Sequence, residues 1–198
     1  MSRLPFMAVL TMILVSCGDD DAVPKPVGYF RIDTPDHAYV SKQGHCPFIF
    51  ETSAYSRLEF IQATDGPPIC WFDIHYPNYN AKIHMTYKPV ENNLREYLEE
   101  SRNLTYEHQI KATRINATLI DKPEDKLYGL LYELGGNVAS PLQFYLTDSV
   151  NHFVRGSLYF EAHPNPDSLK PVMEFITRDI SHFIETFTWD ETSLLMKQ

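Results

Sequence analysis

The stretch NPDSLKPVMEFITRDISHFIETFTW, from Asn165 to Trp189, constrains the fold more than any other. Val172, Phe175, Ile176, Ile180, Phe183, Ile184 and Phe187 recur at helical spacing and form one apolar stripe. Asp167 or Ser168 can cap its start, and Pro171 falls in the first turn, where the lost N–H costs little. A stripe this long has to bury against an apolar surface, and the segment before it supplies one. Leu127–Leu134, Leu142–Thr147 and His152–Phe160 read as three strands. Their links, Gly135-Gly136-Asn137 and Asp148-Ser149-Val150-Asn151, are short and suit antiparallel neighbours.

Upstream, Ile69 to Tyr76 and Ala81 to Tyr87 alternate around Pro77-Asn78-Tyr79-Asn80, a β-hairpin pattern. Cys70, Phe72, Ile74 and Tyr76 share one face of it, and Trp71, Asp73 and His75 the other. Glu91 to about Glu107 is helical, with Leu94, Tyr97, Leu98 and Ser101 on one side and glutamates in the first turns. Gln109 to Ile120 alternates weakly, and Asp121 to Asp125 is a turn. Phe48–Phe50 and Leu58–Ile61 are strand candidates, and Tyr29–Ile32 is at most a short edge strand. The reading is α+β: an antiparallel β-sheet with the C-terminal helix packed on one face. A long helix on a late meander resembles the PsbP/Mog1-like fold. No internal repeat or low-complexity region is present.

The N-terminus reads as a targeting segment. Arg3 gives a positive start, and Phe6 to Val15 is an apolar run of about ten residues. That is too short to span the roughly 30 Å of a bilayer's hydrocarbon but right for a signal peptide. Leu14-Val15-Ser16-Cys17 resembles a bacterial lipobox, which implies cleavage before Cys17 and acylation of Cys17. The alternative is an ordinary secretory signal with a chance cysteine. Two or three acyl chains anchor stably where one does not, at about 0.8 kcal/mol per buried CH₂. Asp19, Asp20 and Asp21 then begin a hydrated tether. They also resemble the surface-export signal of Bacteroidetes lipoproteins, although any polar tether would serve. The organisation expected is therefore a lipoprotein signal peptide at 1–16, a lipidated cysteine and linker at 17–28, a single α+β domain at 29–190 and a tail at 191–198.

The net charge of −9 becomes −10 once Arg3 is removed. No basic cluster is available for the phosphates of nucleic acid, and anionic headgroups would repel the domain, so the lipid must hold it to a membrane. Tyrosine and phenylalanine, twelve each, favour β structure or aromatic-lined surfaces. With Cys17 acylated, Cys46 and Cys70 remain as an even pair in an oxidising setting. A bridge would close a loop of about 25 residues and stabilise by roughly 3–4 kcal/mol; two buried free thiols are the other possibility.

Catalytic motifs are absent: no HExxH, GxSxG, Walker loop or GxGxxG occurs. The eight histidines do not show zinc-site spacing, so no metal and no cofactor are expected. Asp73 and His84 can sit opposite each other in the hairpin as a charge pair. Asp148, Ser149 and His152 invite a hydrolase reading, but they form one turn entering one strand, where Asp and Ser are ordinary turn formers. GGNVASPLQF places Asn137, Ser140 and Gln143 beside two glycines, as a partner contact or as a simple turn. Asp148-Ser149-Val150 and Asp167-Ser168-Leu169 match a short O-glycosylation pattern that recurs by chance.

Taken in order, YFRIDTPDHAY, CPFIFE, CWFDIHYPNYNAKIHMTYK, YEHQIKA, YGLLYELGGNVASPLQFYLTDSVNHFVRGSLYF and the C-terminal stretch resemble the gliding-motility lipoprotein GldD family of Bacteroidetes. The resemblance implies a non-enzymatic, lipid-anchored lipoprotein of the cell envelope, at the periplasmic or outer face of the outer membrane. It further implies work with other gliding-motility and type IX secretion envelope proteins through protein–protein contacts. Asn137, Gln143, His152 and Arg155 are the partner-binding candidates, no residue is catalytic, and no nucleic acid is involved. A module that binds a glycan or peptidoglycan fragment is the alternative, suggested by the aromatic content.

Overall fold

The structure is a computed structural model. It describes residues 28, 32–43, 46–61, 70–107, 111–161 and 166–190. Cys17, the 1–16 leader, the 17–28 linker apart from Gly28, Tyr29–Arg31 and the 191–198 tail lie outside those residues.

Among the described residues, ten strands and two α-helices follow one another. They are β1 Tyr39–Gln43, β2 Phe48–Ser53, β3 Arg57–Phe60, β4 Trp71–Tyr76, β5 Ala81–Pro89, α1 Leu94–Glu107, β6 Ala112–Lys122, β7 Leu127–Gly136, β8 Leu142–Thr147, β9 His152–Phe160, α2 Pro166–Thr186 and β10 Thr188–Trp189. Seven strands make one antiparallel sheet in the order β3-β4-β5-β9-β8-β7-β6, and β1, β2 and β10 make a second, smaller one. The architecture is α+β, as the hydrophobic patterns require.

The β4–β5 hairpin turns through a tight helical turn at Pro77–Tyr79, with Asn80 left-handed at φ 47°. Phe72, Ile74 and Tyr76 point to one face, where they are buried with Ile83 and Met85 of β5. Leu142, Phe144 and Leu146 of β8 and Val154 and Leu158 of β9 continue that face. The stripe of α2 packs on it: Phe183 meets Phe144 at 5.7 Å between ring centroids and Phe50 of β2 at 4.8 Å. Helix α2 begins at Pro166, so Pro171 lies inside it rather than in the first turn.

Two features depart from the expected single-faced sheet. Helix α1 covers part of the opposite face, with Ser101 and Thr105 buried. The small sheet, unforeseen as a unit, packs beside α2: Phe50 stacks on Phe72 at 5.7 Å, and Phe48 lies on Phe187 at 4.9 Å. A disulfide between Cys46 and Cys70 joins the start of β2 to the start of β4, and so ties the two sheets together. Asp179, 2% exposed, adds a polar clamp between α2 and the N-terminal segment. Its carboxylate accepts hydrogen bonds from Tyr76 Oη at 3.2 Å and lies 2.7 Å from His37 Nδ1.

Candidate interaction surface

Alternation along β8 and β9 decides which predicted residues can meet. On β9, His152, Val154, Gly156 and Leu158 face α2, and Phe153, Arg155, Ser157 and Tyr159 face α1. His152 therefore lies on the opposite side of the sheet from Arg155. It is 2% exposed, with Nδ1 2.9 Å from Tyr87 Oη and its ring stacked on Trp189 at 4.9 Å. The Tyr87 hydroxyl is pushed up to about 12, first by burial and then by the charge of Asp148. Gln143 is 1% exposed on the α1 side, and its Oε1 accepts a 2.7 Å bond from Arg155 Nη2. Asn137 is exposed in the link after β7. Of the four candidates only Gln143 and Arg155 meet, and they form no single cluster. Gln143 and His152 have no surface to offer a partner; Asn137 and the half-buried Arg155 do.

The hydrolase constellation resolves into a turn. Asp148 Oδ1 accepts the backbone N–H groups of Val150, Asn151 and His152 at 2.8–3.0 Å, and Ser149 sits left-handed at φ 70°. A second acid–histidine–serine series does stand in register on the α1 side. Asp73 faces His84, which faces Ser157, with His84 Nδ1 2.6 Å from Asp73 Oδ1. Ser157 is only 1% exposed, so a substrate carbonyl cannot reach its hydroxyl.

Helix α1 lies across the outer face of the large sheet and leaves a hollow on either side. On the β6–β7 side a hollow of about 360 Å³ is lined by Leu94, Leu98, Leu119, Tyr128, Tyr145 and Ser149. Leu119 is 70% exposed, and Val150, next to Ser149, is 65% exposed. These are the most exposed large apolar side chains among the described residues. They face outward because β6 is an edge strand and Val150 crowns the β8–β9 turn.

On the β4–β5 side a cavity of about 240 Å³ is lined by charged and aromatic groups, Trp71, Lys88, Tyr97, Glu100 and Arg155 among them. The row Trp71–Thr86–Arg155–Tyr145 crosses four strands in register. Lys88 Nζ bonds Glu100 Oε2 at 2.6 Å and lies 4.8 Å from the centre of the Tyr97 ring. Burial lowers the pKa of Arg155. Sequence reasoning passed over this cavity. Its one legible sign was Trp71, a large aromatic on the polar side of an alternating hairpin. No set of metal-ligating side chains converges among the described residues, and no described helix is long and apolar enough to cross a membrane.

The family model for the gliding motility lipoprotein GldD matches residues 19–189. No curated protein matches the chain significantly. Among solved structures, the solution structure of cyanobacterial PsbP (CyanoP) from Synechocystis sp. PCC 6803 is similar, with a TM-score of 0.43 and 13% identity over 83% of this chain and 99% of that one.

Proposed function

Since this chain belongs to the gliding motility lipoprotein GldD family, we propose that it is a non-enzymatic docking body of the gliding and type IX secretion apparatus, held at the outer membrane by acyl chains on Cys17. The observation that carries this reading is the match from residue 19 to residue 189, which begins two residues after Cys17. An acyl anchor at that position leaves the whole folded domain free to meet partners in the envelope. The partner face is the α1 side of the sheet. Leu119 and Val150 lie exposed there beside the apolar hollow. Apolar side chains standing out beside a rimmed hollow are what protein partners cover. The absence of a reaction is supported by Asp148 serving a turn, His152 being engaged by Tyr87, and Ser157 lying out of reach.

The test is affinity capture from membranes, with identification of the envelope proteins recovered. Leu119→Glu with Val150→Glu is expected to lose partners that the wild-type chain retains, with the melting temperature unchanged. Cys17→Ala is expected to release the protein from the membrane fraction, and mass spectrometry of the native protein to show an acylated N-terminal cysteine. Unchanged capture by the double variant, or an unlipidated start, overturns the reading. Protease shaving of whole cells separates a surface position from a periplasmic one.

A further inference from the structure

We propose that the cavity on the β4–β5 side of α1 binds a single acidic sugar unit, with its carboxylate on Arg155 and its ring against Trp71. This goes beyond the docking reading, and either can fail without the other.

Charge is the first argument. Among the described residues no carboxylate pairs with Arg155, and only one of the five N–H donors of its guanidinium is engaged, by Gln143. Lys88, the other cation in the cavity, is already matched by Glu100. Glu100 also acts on Arg155 through space, so two cations share one carboxylate and the cavity keeps a net positive charge in a chain of net charge −9. A planar guanidinium takes a carboxylate with two parallel hydrogen bonds. One such group beside a neutralised lysine suits a single negative charge better than a phosphate dianion.

Preorganisation is the second. Gln143 holds the guanidinium from behind, and Thr105 Oγ1 lies 3.3 Å from the same amide oxygen. Trp71 is 38% exposed, yet its indole N–H donates to the carbonyl of Tyr87 at 3.2 Å, so the ring is a fixed wall.

Size and surroundings select the sugar. A volume of about 240 Å³ lies below the roughly 300–1,000 Å³ of sites for drug-sized ligands and admits one ring. Thr86 and Ser101 supply hydroxyls around the aromatic walls. A peptide would look for free backbone groups, but the strands beneath, β5 and β9, are paired on both edges.

The test is an NMR titration of the mature, isotope-labelled chain with glucuronic acid and with N-acetylmuramic acid, following the Trp71 indole resonance. N-acetylglucosamine, inorganic phosphate and a dipeptide acid serve as comparisons. At least one sugar acid is expected to saturate, with shifts confined to the cavity residues. N-acetylglucosamine should bind at least about tenfold more weakly, and Arg155→Gln should weaken the acid by a similar factor, the loss expected when a charged hydrogen-bonding pair is removed. Arg155→Lys should restore part of it. The amide spectrum away from the cavity reports whether each variant is folded. Should Arg155→Gln fail to fold, Trp71→Ala is the second variant, with the same loss expected. The proposal is overturned if neither acid saturates by about 50 mM, if the neutral sugar binds as well, if folded variants bind like wild type, or if phosphate or the dipeptide acid binds more tightly.

Discussion

Asp179 shows how one buried charge organises a fold. It sits on α2 within the apolar stripe, and its burial is tolerable because His37 and Tyr76 both face its carboxylate. Burial first, and the Asp179 charge second, raise the pKa of Tyr76 well above its ordinary value. The phenol therefore stays protonated and can donate. Asp179→Ala is expected to cost about 3 kcal/mol, because it strands the hydroxyl of Tyr76 and the ring N–H of His37. Asp179→Asn should cost less, since an amide oxygen still accepts. Urea denaturation of the mature chain measures both; a loss below about 1 kcal/mol for the alanine variant would mean that the clamp does not hold the N-terminal segment. Gly156 makes the opposite point, that an absent atom can be required. A Cβ there would lie 2.3 Å from the Phe144 ring and 3.0 Å from Met85 Sδ. Gly156→Ala should destabilise by roughly 1–3 kcal/mol through overpacking, and the same denaturation experiment reads it.

At the scale of elements, the disulfide is the joint between the two sheets. Cys46 and Cys70 are 24 residues apart, so losing the bridge releases a loop worth roughly 3–4 kcal/mol on the chain-entropy model. Replacing both cysteines by serine is expected to lower stability by about that amount, and the wild-type chain should fall equally under reductant. Equal stability in the presence and absence of reductant would show that the thiols are not bridged in the protein. The elements themselves were unevenly legible. The stripe of α2 and the β4–β5 hairpin could be read because their apolar residues keep one period over many residues. Strand β1, Tyr-Val-Ser-Lys-Gln, could not: it is short and mostly polar, with Val40 and Ser41 exposed, and it exists because β2 offers it a ladder. Strand β10 is two residues long and carries no pattern. The separation of His152 from Arg155 was present in the sequence, since an odd spacing puts two residues on opposite faces of a strand. The burial of Gln143 was not, because nothing local says that α1 lies over that face. The Arg155 cavity escaped for the same reason, being assembled from β4, β5, β9 and α1.

Over the whole molecule, the tyrosines make the packing visible to pH. Tyr39, Tyr76, Tyr79, Tyr87, Tyr132 and Tyr145 all hold their protons more tightly than a free tyrosine, with burial the largest cause in each. They are spread across the molecule: Tyr76 beside α2, Tyr87 against His152, and Tyr132 and Tyr145 on the α1 face. A pKa raised by folding means that between the unfolded and folded values the folded state binds more protons than the unfolded one. Stability then falls as pH rises. The contribution is complete below the ordinary tyrosine value of 10.0 and is lost as pH climbs toward the value of about 12 held by Tyr87. Urea midpoints are therefore expected to be unaffected by these groups up to about pH 10 and to drop steeply above it. Tyrosinate absorbance of the folded chain should show a fraction of the twelve tyrosines titrating late, and only after unfolding should all ionise together. Tyr87→Phe removes one of the groups responsible, so its midpoint should decline less between pH 10 and 12 than that of the wild-type chain. If all twelve tyrosines titrated together near 10 in the folded protein, the aromatic side chains would not be packed as described, and both layers of the core would need to be redrawn.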